Sequence, residues 1–285
     1  MVQKEISPKI GIGKIKLTVQ NIQDSIDFYT KLLGFTVLDK CDDFVSLTAD
    51  GKTTLVELRE QSDATINQHR TTGLYHFAIL VPNRKELAIS LQHLLNSQYR
   101  LDGASDHLFS EAVYLRDPDG HGIEIYADRP KESWKVNQDG TLAVASDPLD
   151  VQGLLAEAIG ENWSGLHQDT ILGHVHVHVA DMEKTKDFYH NILGFPIKIE
   201  IADHALFIAG GDYHHHLGLN TWAGVGAPQP PSSVVQMEYF TITVPSMEEM
   251  ESIMGKLVQN DIEVENREGG LFGRDPSGNG ILFVL

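Results

Sequence analysis

The chain has 285 residues, 41% apolar and 22% charged, an ordinary globular composition that excludes a largely disordered or fibrous protein. Lys and Arg number 22 against 40 Asp and Glu, a net charge of −18. A surface of that sign repels phosphate backbones and anionic lipid, so neither nucleic acid nor a membrane surface is an expected partner.

Cys41 is the single cysteine, which excludes an internal disulfide and a thiolate metal cluster. The opening stretch MVQKEISPKI lacks an apolar signal core, and no run approaches the roughly 18 residues of a membrane span. A cytoplasmic location is therefore expected.

In chain order, IGKIKLTVQNIQDSIDFYTKLLGF (12–35) reads as an alternating strand and then a helix. The helix opens at Asn21, a residue type that caps orphan backbone N–H groups, and stops at Gly34. LYHFAILVPN (74–83) is a second strand entering a helix. Asp117-Pro118-Asp119-Gly120 signals a tight turn feeding the strand GIEIYA. Residues 129–169 form a connector with Trp134, Trp163 and a short helix near 150–159. The chain then repeats itself. LGHVHVHVADMEKTKDFYHNILGF (172–195) matches the opening, with Phe28/Phe188, Tyr29/Tyr189, Gly34/Gly194 and Phe35/Phe195 all 160 residues apart. After a Pro/Gly loop at 223–233, MEYFTITVPS (237–246) and Asp275-Pro276-Ser277-Gly278 before GILFVL repeat the second unit.

Four strand–helix–strands modules result, near 10–60, 72–128, 170–222 and 235–285. Mixed periods of 2 and 3.6 within each place the chain in the α+β class. Along the sequence, residues 10–128 make a first two-module domain and 170–285 a second, joined by the connector 129–169. No phosphate-binding glycine loop and no GxSxG elbow is present.

Four βαβββ modules opening with HV-x-V-x-V-x-D, FY and LGF resemble the vicinal oxygen chelate superfamily. That superfamily includes glyoxalase I, fosfomycin resistance proteins and extradiol ring-cleaving dioxygenases. More narrowly, GHVHVHVAD, GGDYHHHLGLNTWAG, GLYHFAIL and HLFSEAVYLRDPDGHGIEIYADRP are similar to the Bacillus-type catechol 2,3-dioxygenases. The resemblance implies two glyoxalase-like half-barrel domains. It also implies a ligand pattern: a His on a module's first strand, seven residues before the helix cap, and a carboxylate on its last strand. The first position holds Lys14, His76, His174 and Tyr239 in the four modules. The last strands of modules two and four offer Glu124 and Leu282. Glu57 of module one reads as a solvated or hairpin-paired carboxylate.

A protonated Lys cannot ligate and Leu offers nothing, so modules one and four are expected to be metal-free. Modules two and three would bring His76, Glu124 and His174 together, a two-imidazole, one-carboxylate set suited to Fe(II) with three open positions. Mn(II), Zn(II) and Ni(II) are the alternatives. Such crosswise pairing runs against the usual preference for sequential neighbours. His176 and His178 share a strand face with His174 and are read as lining residues.

The extradiol resemblance implies a small aromatic diol and O2 as partners, with meta cleavage of catechol or a small substituted catechol. It places the acid–base histidine at His215. His214 and His216 stay open, because a one-residue slip turns the imidazole to the other face. Tyr114 matches a substrate-contacting tyrosine. His107 resembles a second active-site histidine, although its spacing to Tyr114 departs from the family's by two residues. Two rival readings are a glyoxalase-like lyase or isomerase, whose metal cages carry two carboxylates, and a non-enzymatic small-molecule binder. Modules one and four would serve as scaffold or as a homo-oligomer surface.

Overall fold

A computed structural model describes residues 5–138 and 141–285. Module one comprises β1 (Gly11–Val19), α1 (Ile22–Asp27), β2 (Thr36–Cys41), β3 (Phe44–Thr48) and β4 (Thr54–Glu60). Module two comprises β5 (Gly73–Leu80), α2 (Arg84–Asn96), β6 (Leu101–Asp106), β7 (Ser110–Arg116) and β8 (Gly122–Asp128). The connector contributes β9 (Asp147–Pro148) and α3 (Val151–Ala156). Module three holds β10 (Ile171–His178), α4 (Met182–Lys186), β11 (Ile197–Ile201), β12 (Ala205–Ile208) and β13 (Leu217–Asn220). Module four holds β14 (Met237–Thr243), α5 (Met247–Gln259), β15 (Val264–Arg267), β16 (Gly270–Arg274) and β17 (Gly280–Val284). Among the described residues, no helix is long and apolar enough to cross a membrane.

The α+β class and the two half-barrels are as expected from the sequence. One sheet runs β15-β16-β17-β14-β1-β4-β3-β2, the other β11-β12-β13-β10-β5-β8-β7-β6-β9. Each sheet therefore takes one module from either side of the connector, across the 10–128/170–285 division drawn along the sequence. The joins are antiparallel, β1 to β14 and β10 to β5. A module's first strand pairs with its own last strand on one edge only. Its other edge carries unpaired backbone groups, and the first strand of a second module closes it. The pairing of modules two with three is the one that the distribution of ligand-type residues requires.

The repeated F-Y…L-G-F motif locks the sheets together. α1 and α4 continue as π-helical turns over Phe28–Leu33 and Asp187–Ile192. Their buried tyrosines reach the D-P-x-G turns, with Tyr29 OH donating to Asp117 at 3.0 Å and Tyr189 OH to Asp275 at 3.2 Å. Tyr29 belongs to the first sheet's unit and Asp117 to the second, so the motif spans both. Gly34 and Gly194 then end the helices at φ 91°, a left-handed conformation that suits glycine. A second glycine requirement lies at the start of β8. A Cβ on Gly122 would stand 2.0 Å from the Tyr75 carbonyl oxygen, so only glycine lets β8 press against β5 there.

Candidate metal centre

The centre is built around a small residue. On β5, Ala78 faces His174 of β10 on one side and Glu124 of β8 on the other. His76 lies two residues earlier on the same face of β5. Fully buried Ala78 leaves the space into which the three larger side chains turn. His76 Nε2 lies 3.0 Å and His174 Nε2 3.2 Å from Glu124 Oε2. One ligand atom from each of the three residues lies within 4.8 Å of the others, and all three residues are buried.

Two buried imidazoles converging on one carboxylate oxygen make a poor hydrogen-bonding arrangement. His76 Nε2 has no hydrogen-bond partner of acceptable geometry among the described residues. An orphaned, buried ring nitrogen aimed at a carboxylate is costly unless a cation completes the set. The donors therefore fit a divalent metal, and the nitrogen and oxygen set suits iron, manganese or zinc. Burial lowers the His174 imidazole to about 4, against the opposing pull of Glu124. Burial pushes the Glu124 carboxyl up, but the neighbouring His174 and His76 outweigh it and hold the group well below the usual range. Neutral imidazole and ionised carboxylate are the ligating forms.

The three residues line a cavity of about 450 Å³. Of the His214–His216 run, between β12 and β13, His215 is the member that lines it. Its ring centroid stands 4.2 Å from that of His174, and burial holds its imidazole well below the ordinary value. His214 and His216 point elsewhere: His214 Nε2 lies 2.9 Å from Asp128 Oδ1, and His216 Nδ1 accepts from the Gly210 backbone N–H at 3.3 Å.

On the opposite wall, Tyr114 of β7 registers against Glu124. His107 is brought to it in spite of the irregular spacing. His107 Nδ1 donates to the Ala145 carbonyl at 2.8 Å, which leaves Nε2 to accept the Tyr114 hydroxyl at 2.7 Å. Burial and the adjacent Glu124 push the Tyr114 phenol far upward, so it stays protonated. The hydroxyl is thus fixed between His107 and the Glu124 carboxylate, at the edge of the cluster. Ala145 belongs to the connector, and Val144 and Ser146 beside it also line the cavity. The connector is thus part of the site as well as a link, which its sequence did not signal.

His176 lines the cavity behind His76, and His178 lies one pleat further along β10. The Asn220 amide clamps both: its Nδ2 donates to His176 Nε2 at 2.9 Å, and its Oδ1 accepts from His178 Nδ1 at 2.7 Å. Gly218 makes room for this, since a Cβ there would meet the His176 ring at 2.7 Å.

The other sheet carries a different solution at the matching positions. Lys14 stands where His174 does, and its Nζ lies 2.5 Å from Glu57 Oε1. Lys16 pairs with Glu268 at 3.0 Å, Tyr239 OH donates to Glu268, and both ammonium groups sit over the Tyr239 ring at 5.9 and 5.4 Å. Glu57 is therefore neither solvated nor merely hairpin-paired, but a buried counter-charge to Lys14. At this position the first sheet holds an internal ion pair in place of a histidine.

Acid should unfold the metal-free protein early. His174 and His216 are lowered from 6.5 to about 4, each chiefly by burial. Between those values the unfolded chain binds protons that the folded chain refuses, so stability falls as pH drops through that window. A shift of this size is worth on the order of 3 kcal/mol per histidine once fully realised. Urea midpoints should drop steeply between pH 6.5 and pH 5; a flat profile would contradict the burial of these rings as neutral groups.

The sequence model of the Glyoxalase/Bleomycin resistance protein/Dioxygenase superfamily matches residues 11–125 and 171–283. The chain belongs to that superfamily. Within it, the chain is 43% identical over 277 residues to the catechol-2,3-dioxygenase of Bacillus subtilis (strain 168), covering 96% of this chain and 97% of the relative. Solved structures superpose over nearly the whole length. Glyoxalase I from Zea mays aligns at a TM-score of 0.60 and 16% identity, covering 97% of this chain and 92% of that one. The cppA protein of Streptococcus pneumoniae TIGR4 aligns at 0.54 and 14%, covering 96% and 98%. Those two likenesses speak to the fold, and the curated relative extends the kinship to a ring-cleaving dioxygenase.

Proposed function

We propose that the protein is an Fe(II)-dependent extradiol dioxygenase that cleaves catechol or a small substituted catechol beside its two hydroxyls, adding both atoms of O2. The observation that carries this reading is the buried His76–Glu124–His174 cluster opening on a cavity that also holds His215 and Tyr114. The near full-length relative named as a catechol-2,3-dioxygenase supports it. One carboxylate in the cluster, where a glyoxalase-type cage carries two, leaves the lyase reading without support.

Iron held by the three residues would supply one centre for both diol oxygens and dioxygen, with three coordination positions left open. The chain's own groups do the rest. His215, neutral in its buried position, takes a proton from a diol hydroxyl and later returns one to a developing product oxygen. Tyr114, oriented by His107, accepts a hydrogen bond from the substrate and fixes the ring in the cavity. Phe207, Ile199 and Trp222 line the same cavity with apolar surface that suits an aromatic face and keeps bulk water away. A reducing cytoplasm, in keeping with the exposed free Cys41, would keep iron divalent.

The test loads metal-free protein anaerobically with Fe(II), Mn(II), Zn(II) or Ni(II), then adds catechol and air. Oxygen uptake matched by a yellow 2-hydroxymuconic semialdehyde is expected with Fe(II). No uptake by fully iron-loaded protein across several catechols would refute the reading.

A further inference from the structure

Three side chains form a continuous hydrogen-bonded line from the protein surface to the cavity. Asp128, at the end of β8, keeps 23% of its side chain exposed. His214 Nε2 lies 2.9 Å from Asp128 Oδ1, and His214 Nδ1 lies 2.7 Å from His215 Nδ1. The direction of each bond follows from the acceptor at the start. A carboxylate only accepts, so His214 Nε2 carries the hydrogen and donates it. In a neutral His214 the Nδ1 is then a bare lone pair. His215 must donate to it from Nδ1, and the nitrogen left for the cavity, His215 Nε2, is also a bare lone pair.

The surroundings hold this line in place. His214 is wholly buried, stacked on Phe109 at 4.4 Å with an interplanar angle of 18° and flanked by Tyr213 at 4.1 Å. Beside it, the Tyr213 and Tyr126 hydroxyls share a hydrogen bond at 2.7 Å, and burial with the nearby Asp128 charge pushes the Tyr213 phenol well up, so it stays protonated next to the carboxylate. A buried ring with both nitrogens engaged has no second tautomer that keeps its partners satisfied.

We propose that Asp128 and His214 are positioning residues that fix the tautomer of His215, so that a proton-accepting Nε2 faces the cavity. The inference rests on the reading of His215 as the proton acceptor in catechol cleavage. Without the line, the His215 ring is free to present N–H to the cavity, and that form cannot take a substrate proton. A side-chain amide is the natural replacement for His214. Gln offers an N–H to Asp128 and a C=O to His215 and so preserves both directions, whereas Leu breaks both.

The test combines a structural and a kinetic measurement. In metal-free protein labelled with 15N-histidine, the His215 signals, identified by their loss in His215→Gln, should show a pyridine-type Nε2. His214→Leu should convert that nitrogen to a mixture or to the N–H type, and His214→Gln should restore it. In iron-loaded protein, His214→Leu should lower kcat about 10-fold or more with KM for catechol within about 3-fold and metal content unchanged, and His214→Gln should recover most of the loss. Asp128→Asn, at the partly exposed end, serves if the Leu variant folds poorly; an amide that can turn its N–H towards His214 should produce the mixed tautomer. An N–H type Nε2 in the unaltered protein, an unchanged tautomer in His214→Leu and Asp128→Asn, or equal kinetic loss in the Leu and Gln variants would overturn the proposal. Absence of any catechol turnover in the unaltered enzyme would refute the dioxygenase reading instead, and leaves the nitrogen measurement to judge the tautomer.

Discussion

Glu124→Ala is expected to remove bound divalent metal and, with it, oxygen uptake on catechol. Glu124 supplies the cluster's single carboxylate and so its only full negative charge, with its Oε2 at 3.0 Å from one imidazole and 3.2 Å from the other. Truncation leaves two neutral nitrogens, too few donors to hold iron against water. Elemental analysis after gel filtration should find well under one equivalent. His76→Ala and His174→Ala should behave alike, because each also leaves two donors. Lys14→Ala gives the contrast: it disturbs the Lys14–Glu57 pair in the other sheet and should keep the metal. Iron at full stoichiometry in Glu124→Ala would mean that the metal sits elsewhere.

His215→Ala separates chemistry from metal binding. The ring touches His174 but bonds to His214, and no ligand atom is lost with it. Metal content should match that of the unaltered protein while turnover falls about 10²-fold or more, the scale of general acid–base catalysis. KM for catechol should change little, since Tyr114 and the apolar walls remain. Turnover within about threefold of the unaltered enzyme would take the proton-transfer role away from His215.

The His76–Glu124–His174 cluster was legible because the family resemblance supplied a local rule: the position seven residues before the helix cap can be read off in every module, and it holds His in modules two and three. The crosswise pairing was legible from which modules kept donors and which carried Lys14, Tyr239 and Leu282. The line to Asp128 was less accessible, since His214 and Asp128 are 86 residues apart. A signal did exist, because Glu124, Tyr126 and Asp128 alternate along β8 and share a face. His107 looked misplaced by spacing, yet β7 pairs with β6 and the turn between them carries it back to Tyr114. The connector's part rests on a backbone carbonyl at Ala145, and a backbone group leaves no mark in a residue pattern. Glu57 was misread because its partner is a lysine on the adjacent strand, a pairing that only sheet register reveals.

The first sheet's internal Lys14–Glu57 pair has a consequence for stoichiometry. Lys14 stands at the first-strand position that His174 holds in the second sheet and lies against Glu57, so an ion entering there would have to displace a tethered cation. Titration should therefore saturate at a single equivalent, and chelators should leave half the molecule untouched.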